Sequence, residues 1–359
     1  MKYESINIDL TKLALSLSTI ITSDISHVLV APLNWGLGHA TRCMPIIDIL
    51  LSEGKVVTIA SDGEALTFLQ EEYPQLTCVE LPSYRIRYNS QNTLSIIRSN
   101  CLNIFSAIRS EYKAAKQIAD SIKPDLIISD SRFGCKHSYI PSYIISHQLS
   151  LHFTSSLIRF TANKINTHLL NSFDKCLVPD NESNLSGKLS HNAAIKNQIK
   201  IGPLSRMKKY EQKIKYDIAV ILSGPEPART KLETSLFLQL QSSKLKVIAV
   251  RGTSTRYEGP EYAFEIINRA NSTLINDILM SSKLVISRSG YSSIMDYAAT
   301  DSQAILIPTP GQPEQEYLAH HLSEDPKYTM LSEEKLNSKN FSLNLWLNKI
   351  LDHTFKLMS

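Results

Sequence analysis

A chain of 359 residues with 43% hydrophobic and 20% charged side chains is long enough for two ordinary domains with full cores. Its net charge of +4 suits an anionic ligand or membrane surface. It falls short of a nucleic-acid binder, and no RNA- or DNA-reading motif accompanies it. Five scattered cysteines without a CxxC argue against a disulfide framework or a zinc site, and no apolar run reaches the ~18 residues of a membrane span. The expected setting is the reducing cytoplasm, with peripheral contact at the inner face of a membrane left open.

Residues 1–25 read as a loose N-terminal extension or a leading helix. The stretch LALSLSTII (13–21) is short, broken by serine and lacks a good cleavage site, which argues against a signal peptide. Apolar, β-rich runs then alternate with helical patterns. The first group is HVLVAPL (27–33), KVVTIAS (55–61), TCVELP (77–82), PDLIISD (124–130), SYIISH (142–147) and KCLVPD (175–180). A long helix is expected at 93–121, with Ile96, Ile97, Cys101, Ile104, Phe105 and Ile108 on one face and Arg98, Arg109 and Lys113 beside it. A core-facing role is favoured there over membrane docking. The charged stretch IGPLSRMKKYEQKIK (201–215) reads as a linker. The second group follows: YDIAVILS (216–223), KVIAVRG (246–252), KLVISRS (283–289) and AILIP (304–308). NFSLNLWLNKILDHTFKL (340–357) reads as a closing helix. Runs apolar throughout are strands buried on both faces, so the fold class is α/β, with doubly wound parallel sheets. The expected division is 1–25, 26–205, 206–338 and 339–359.

The turns between strands and helices carry the chemistry. In NWGLGHATR (34–42), Gly36 and Gly38 permit a sharp turn and close approach to a ligand. The third glycine of a dinucleotide-binding turn is missing, since position 41 is threonine. His39 opens the following helix, where a neutral imidazole is favoured; it is either a base for a hydroxyl or a partner of the turn. Arg42 binds an anion or, more simply, a nearby carboxylate. In LSGPEPART (222–230), Ser223 and Gly224 offer backbone to phosphate and Arg229 offers charge. Asn276 and Asp277 in TLINDILMSS (273–282) are placed at a strand-to-helix edge, where backbone meets a base. In SRSGYSSIMDYA (287–298), Gly290, Ser289, Ser292 and Ser293 form a phosphate-holding turn without lysine, suited to a diphosphate that is bound and released as a leaving group. Asp296 lies about 9 Å along that helix, the distance from a pyrophosphate to its ribose; otherwise it is an exposed helix acid. TPGQPEQEYLAHHL (309–322) adds Gln312, Glu314, Gln315 and Glu316, suited to sugar hydroxyls or to capping a polar loop.

These turns resemble those of the GT-B glycosyltransferases, and most closely glycosyltransferase family 28, over about 27–322. The sharpest part is SRSGYSSIMD…ILIPTPGQPEQEYLA. The resemblance implies two Rossmann-like domains facing a cleft. It implies an enzyme that moves a sugar, with inversion, from a UDP-sugar co-substrate to an acceptor hydroxyl. It implies no cofactor and no metal, and the chain contains no Asp-x-Asp. Residue by residue, Ser289, Gly290 and Ser292 would hold the diphosphate, Asp296 the ribose, and Gln315 with Glu314 the sugar. Ser223, Gly224 and Arg229 would add donor contacts. His39 would be the catalytic base, and Gly36, Gly38, Asp130 and His147 would lie on the acceptor side. The acceptor, whether lipid-linked, polysaccharide or small molecule, is not specified by the sequence. A UDP-sugar epimerase or hydrolase, and a nucleotide-sugar-binding protein without turnover, are the alternatives.

Overall fold

The computed structural model describes residue 13, residues 17–84, 93–153, 155–180 and 184–358, with 93–104 and 353–358 as backbone. The expected apolar face at Ile96, Ile97, Cys101 and Ile104, with Arg98, lies outside the described side chains. So do residues 1–12. Two compact units meet in sequence between Arg206 and Met207, inside the charged linker.

The first unit holds β1 (His27–Pro32), α1 (Leu37–Ser52), β2 (Val56–Ser61), α2 (Gly63–Glu72) and β3 (Thr77–Glu80). It continues with α3 (Thr93–Ile122), β4 (Leu126–Asp130), β5 (Ser142–Ile145), α4 (Ser156–Leu170), β6 (Lys175–Val178) and β7 (Gln198–Lys200). The seven strands form one sheet in the order β3-β2-β1-β4-β5-β6-β7, every pairing parallel. The central runs VLVA of β1 and LIIS of β4 are buried throughout, as strands covered on both faces require. Leu13, Leu17, Ile20, Ile21 and Ile25 are buried, and residues 13, 17 and 18 are helical, so of the two readings of this segment its described part has the packing of a leading helix. On α3 the buried face of the described half runs through Glu111, Ala115 and Ala119, one turn apart, while Phe105 is 47% exposed.

The second unit holds β8 (Tyr216–Ile221), α5 (Ala228–Leu240), β9 (Val247–Val250), β10 (Glu265–Ile267), α6 (Ser272–Met280) and β11 (Ser282–Ser287). After these come α7 (Tyr291–Thr300), β12 (Ala304–Leu306), α8 (Pro313–Leu322), β13 (Tyr328–Met330), α9 (Glu333–Leu336) and α10 (Leu343–Met358). Its sheet is again parallel, in the order β10-β9-β8-β11-β12-β13. Leu343, Leu347 and Leu351 of α10 bury against Leu232, Leu236 and Leu240 of α5, both stripes at four-residue spacing. The last helix is thus part of the second unit's core. Asn276 and Asp277 stand inside α6, not at a strand edge. Their side chains take the Lys208 backbone N–H and the Tyr210 hydroxyl, so they fasten the connector to the unit.

Candidate active site

In both sheets the strand order reverses beside the first strand of the unit, and ligands of open parallel sheets bind outside the carboxyl ends at that point. In the first sheet the reversal lies between β1 and β4, where Pro32 is in register with Asp130. The chain leaves β1 and turns at Gly36, whose φ of 76° and ψ of 171° suit glycine alone. Asn34 ties the turn down. Its amide donates to Asp62, and its carbonyl accepts from the Ala65 backbone at the start of α2. Gly38 is already in the first turn of α1, and His39 follows on it.

Arg42, one turn further, is buried and organises the cluster. Its Nε donates to Asp130 Oδ2 at 2.5 Å, its second terminal nitrogen to Asp130 Oδ1, and its first lies 3.4 Å from His147 Nδ1. Its partner is thus the nearby carboxylate. His39 Nδ1 lies 3.1 Å from Asp130 Oδ1 and 2.8 Å from the Arg42 guanidinium. His39, Asp130 and His147 therefore converge on one arginine, and only the His39 ring retains appreciable exposure, at 18%. Burial, and then the Arg42 charge, pull the His39 imidazole below the usual histidine value against the opposing pull of Asp130. Burial alone would raise the Asp130 carboxyl, but Arg42 and His39 hold it well below the usual carboxylate range. The cluster thus presents a neutral histidine backed by a fixed carboxylate.

In the second sheet the reversal lies between β8 and β11, where Ile221 is in register with Ser287. The turn after β8 exposes Ser223 and Gly224, the latter at a φ of 100°. The turn after β11 ends in Gly290, which caps α7 with no side chain. Nothing lies within 4 Å of a Cβ added there, and its φ of −72° and ψ of 139° suit any residue. Ser292 and Asp296 lie on the first two turns of α7, both half-buried. Ser289 is fully buried and donates its hydroxyl to the Gln315 carbonyl at 2.8 Å. The Gln315 amide accepts from the Thr309 backbone and donates to Gln312, while Glu316 accepts from the Gly311 backbone. Ser289 and Gln315 thus build the 309–316 loop with their polar atoms. Glu314, half-buried, sits on the first turn of α8. Arg229 departs most from expectation. It is buried, and its guanidinium is taken by Glu226 and Glu233.

Sequence reasoning missed two buried arginines that frame these turns. Arg132 donates to the Pro32 carbonyl, to Glu111 Oε1 at 2.8 Å and to Asp62, joining β1, α3 and α2 behind the His39 cluster. Arg288 donates to the carbonyls of Ala228, Ile307 and Pro308 and pairs with Glu333, joining both sides of the second reversal. Gly252 was also missed. A Cβ there would lie 2.4 Å from the Leu222 carbonyl oxygen, under the Ser223–Gly224 turn. The one signal in the sequence for the arginines is their place, each just beyond an apolar strand.

Two parallel units, each with a glycine turn and a polar cluster at its reversal point, define a class: the GT-B fold. The solved structures agree. The glycotransferase of kitacinnamycin matches with a TM-score of 0.65 at 12% identity, covering 91% of each chain. MurG of Acinetobacter baumannii matches with a TM-score of 0.55 at 12% identity, covering 93% of this chain and 91% of its own. LpCGTa, solved in complex with UDP, matches with a TM-score of 0.59 at 14% identity, covering 93% and 91%. Residues 229–354 match the glycosyltransferase family 28 C-terminal domain. A search of curated protein sequences finds no match. The chain has the GT-B fold, and its second unit carries a glycosyltransferase family 28 C-terminal domain over residues 229–354.

Proposed function

We propose that this glycosyltransferase moves a sugar from a UDP-sugar to an acceptor hydroxyl in one in-line displacement with inversion. The observation that carries the reading is the open, glycine-capped start of α7 at the second reversal point. Backbone N–H groups and the helix dipole there suit a diphosphate. In this reading Asp296, on the second turn of α7, takes the ribose, and Glu314, on the first turn of α8, takes the sugar. His39 Nε2 takes the proton of the acceptor hydroxyl, the acceptor oxygen bonds to the anomeric carbon, and the bond to the phosphate oxygen breaks with its electron pair leaving on UDP. No metal is required in this reading, because the helix end and its hydroxyls receive the departing charge. LpCGTa is solved with UDP and the spinosyn rhamnosyltransferase SpnG with thymidine diphosphate, so both diphosphates belong in the test. A thermal-shift screen of nucleoside diphosphates, with and without EDTA, tests the donor. Stabilisation by UDP and UDP-sugars in both conditions is expected, and indifference to all of them would overturn the reading. Gly290→Ala meets no steric or backbone obstacle. It should therefore keep the melting temperature of the free protein and weaken UDP binding about tenfold, because the methyl group intrudes where the phosphate approaches.

The acceptor, in the same reading, is an anionic amphiphile at a membrane surface. The support is α4, where Leu157 and Phe160 are 72% and 67% exposed beside Arg159 and Lys164. An open hollow of about 660 Å³ runs along this helix, lined by His152, Arg159, Phe160 and Lys164 among others. No acidic residue occurs from 131 to 173. Exposed apolar residues flanked by cations dock at anionic interfaces. Among the described residues, no helix is long and apolar enough to cross a membrane. Flotation with phosphatidylglycerol vesicles should carry the protein upward. Phe160→Glu with Leu157→Glu should abolish this, and no flotation of the parent protein would refute the membrane part alone.

A further inference from the structure

The turn after β8 carries a carboxylate where a phosphate-binding turn needs none. Glu226 Oε1 accepts from Arg229 Nε at 2.7 Å, and Oε2 accepts from the Thr230 backbone N–H at 3.2 Å, so the chain's own anion covers the first turn of α5. Behind it, Arg229 donates to Glu233 Oε2 at 2.5 Å, and Arg251 donates to the same oxygen at 2.9 Å. Arg229, Glu233 and Arg251 are all buried, whereas the Glu226 side chain is 55% exposed. The buried three carry two positive charges and one negative. Glu226 supplies the missing negative charge, and it is the one member that water already reaches. A buried excess cation demands an anionic partner, but nothing requires that partner to be Glu226. Burial would raise the Glu226 carboxyl, yet the Thr230 and Arg229 contacts outweigh it and hold it below its ordinary value.

We infer that Glu226 competes with the donor's diphosphate for Arg229 and the first turn of α5, and so sets how tightly nucleotide is held and how readily it leaves. The inference rests on the donor reading above. The chemistry fits an exchange: a carboxylate and a phosphate can each offer two oxygens to the planar donor fork of a guanidinium. Gly224, two residues earlier, leaves the approach open, with nothing within 4 Å of an added Cβ. Arg229 thus regains the phosphate role that the sequence suggested, on condition that Glu226 swings away. Glu226 is the half-exposed member of the pair, so its carboxylate can turn to water once a phosphate takes its place on the buried Arg229.

The test is calorimetric titration of the full chain with UDP and with uridine, for the parent protein, Glu226→Gln, Glu226→Ala, and each combined with Arg229→Gln. Glu226→Gln and Glu226→Ala should bind UDP about threefold to tenfold more tightly and uridine unchanged. The gain should vanish in the Arg229→Gln background, because Arg229 is the group released. Equal or weaker UDP binding by both Glu226 variants, or a gain that survives loss of Arg229, overturns the inference while leaving the donor reading intact. Failure of the parent protein to bind any nucleoside diphosphate overturns both.

Discussion

Replacing His39 by alanine is expected to cut turnover by about 10²-fold or more and to leave UDP binding unchanged. Turnover is read as UDP released against a panel of sugar and lipid acceptors, binding by titration. The expectation follows from three facts: His39 is the exposed member of its cluster, its imidazole is held neutral, and a carboxylate stands behind it. The tautomer decides the role. If Nδ1–H donates to Asp130, the Nε2 lone pair is left for a substrate proton. Arg42 then keeps acceptors in Asp130 and, at 3.3 Å, the Ser131 hydroxyl. The opposite tautomer would have Nδ1 accept from Arg42 and would offer a donor, not a base. The pH profile separates the two. A base works only unprotonated, so activity should rise with pH through a midpoint under the usual histidine value of about 6.5 and be flat at neutrality. An unchanged rate in His39→Ala would reject the role outright.

Arg132→Leu should destabilise the first unit by about 3–5 kcal/mol, the largest stability loss expected from one substitution here. Asp62 and Glu111 would be left facing each other's neighbourhood without their shared cation, deep behind the site. Burial already raises the Glu111 carboxyl, and Arg132 is the first influence that lowers it, ahead of the Tyr84 hydroxyl and the Gly134 N–H. Without Arg132 that carboxyl is expected to take up a proton on folding. Thermal melts followed by circular dichroism would show a drop of about 10 °C in the transition of this unit. A loss below about 1 kcal/mol would mean that water or a neighbouring group neutralises the carboxylates.

Much of this architecture was legible. The strands buried on both faces are uninterrupted apolar runs, and the sequence marks them plainly. β7, β10 and β13 escaped notice because each is three residues long, and QIK and EII carry charge or polarity at a sheet edge. The two reversal points could be located from the glycine turns, yet what those turns hold could not. Arg229 was expected to meet phosphate, and the acids at 226 and 233 that engage it were in plain view at three- and four-residue spacing. Arg132 and Arg288 were invisible for a different reason. Burial of a cation depends on carboxylates and carbonyls brought from distant segments, such as Asp62 for Arg132 and Ala228 for Arg288. No local pattern announces that. Ser289 and Gln315 were read as donor contacts, and in the structure they shape the loop through each other.

The parallel pairing has a bearing on how the chain reaches this state. Val28 lies beside Leu126, and Ser282 beside Tyr216, so the innermost ladder of each sheet closes only after a long excursion of backbone. No neighbouring strands are joined by a hairpin among the described residues, and no quick local nucleus of that kind exists. Such topologies acquire structure slowly, in milliseconds to seconds or longer, and leave sticky strand edges open meanwhile. Recombinant production should therefore reward cool, unhurried synthesis and chaperone help over rapid dilution from denaturant.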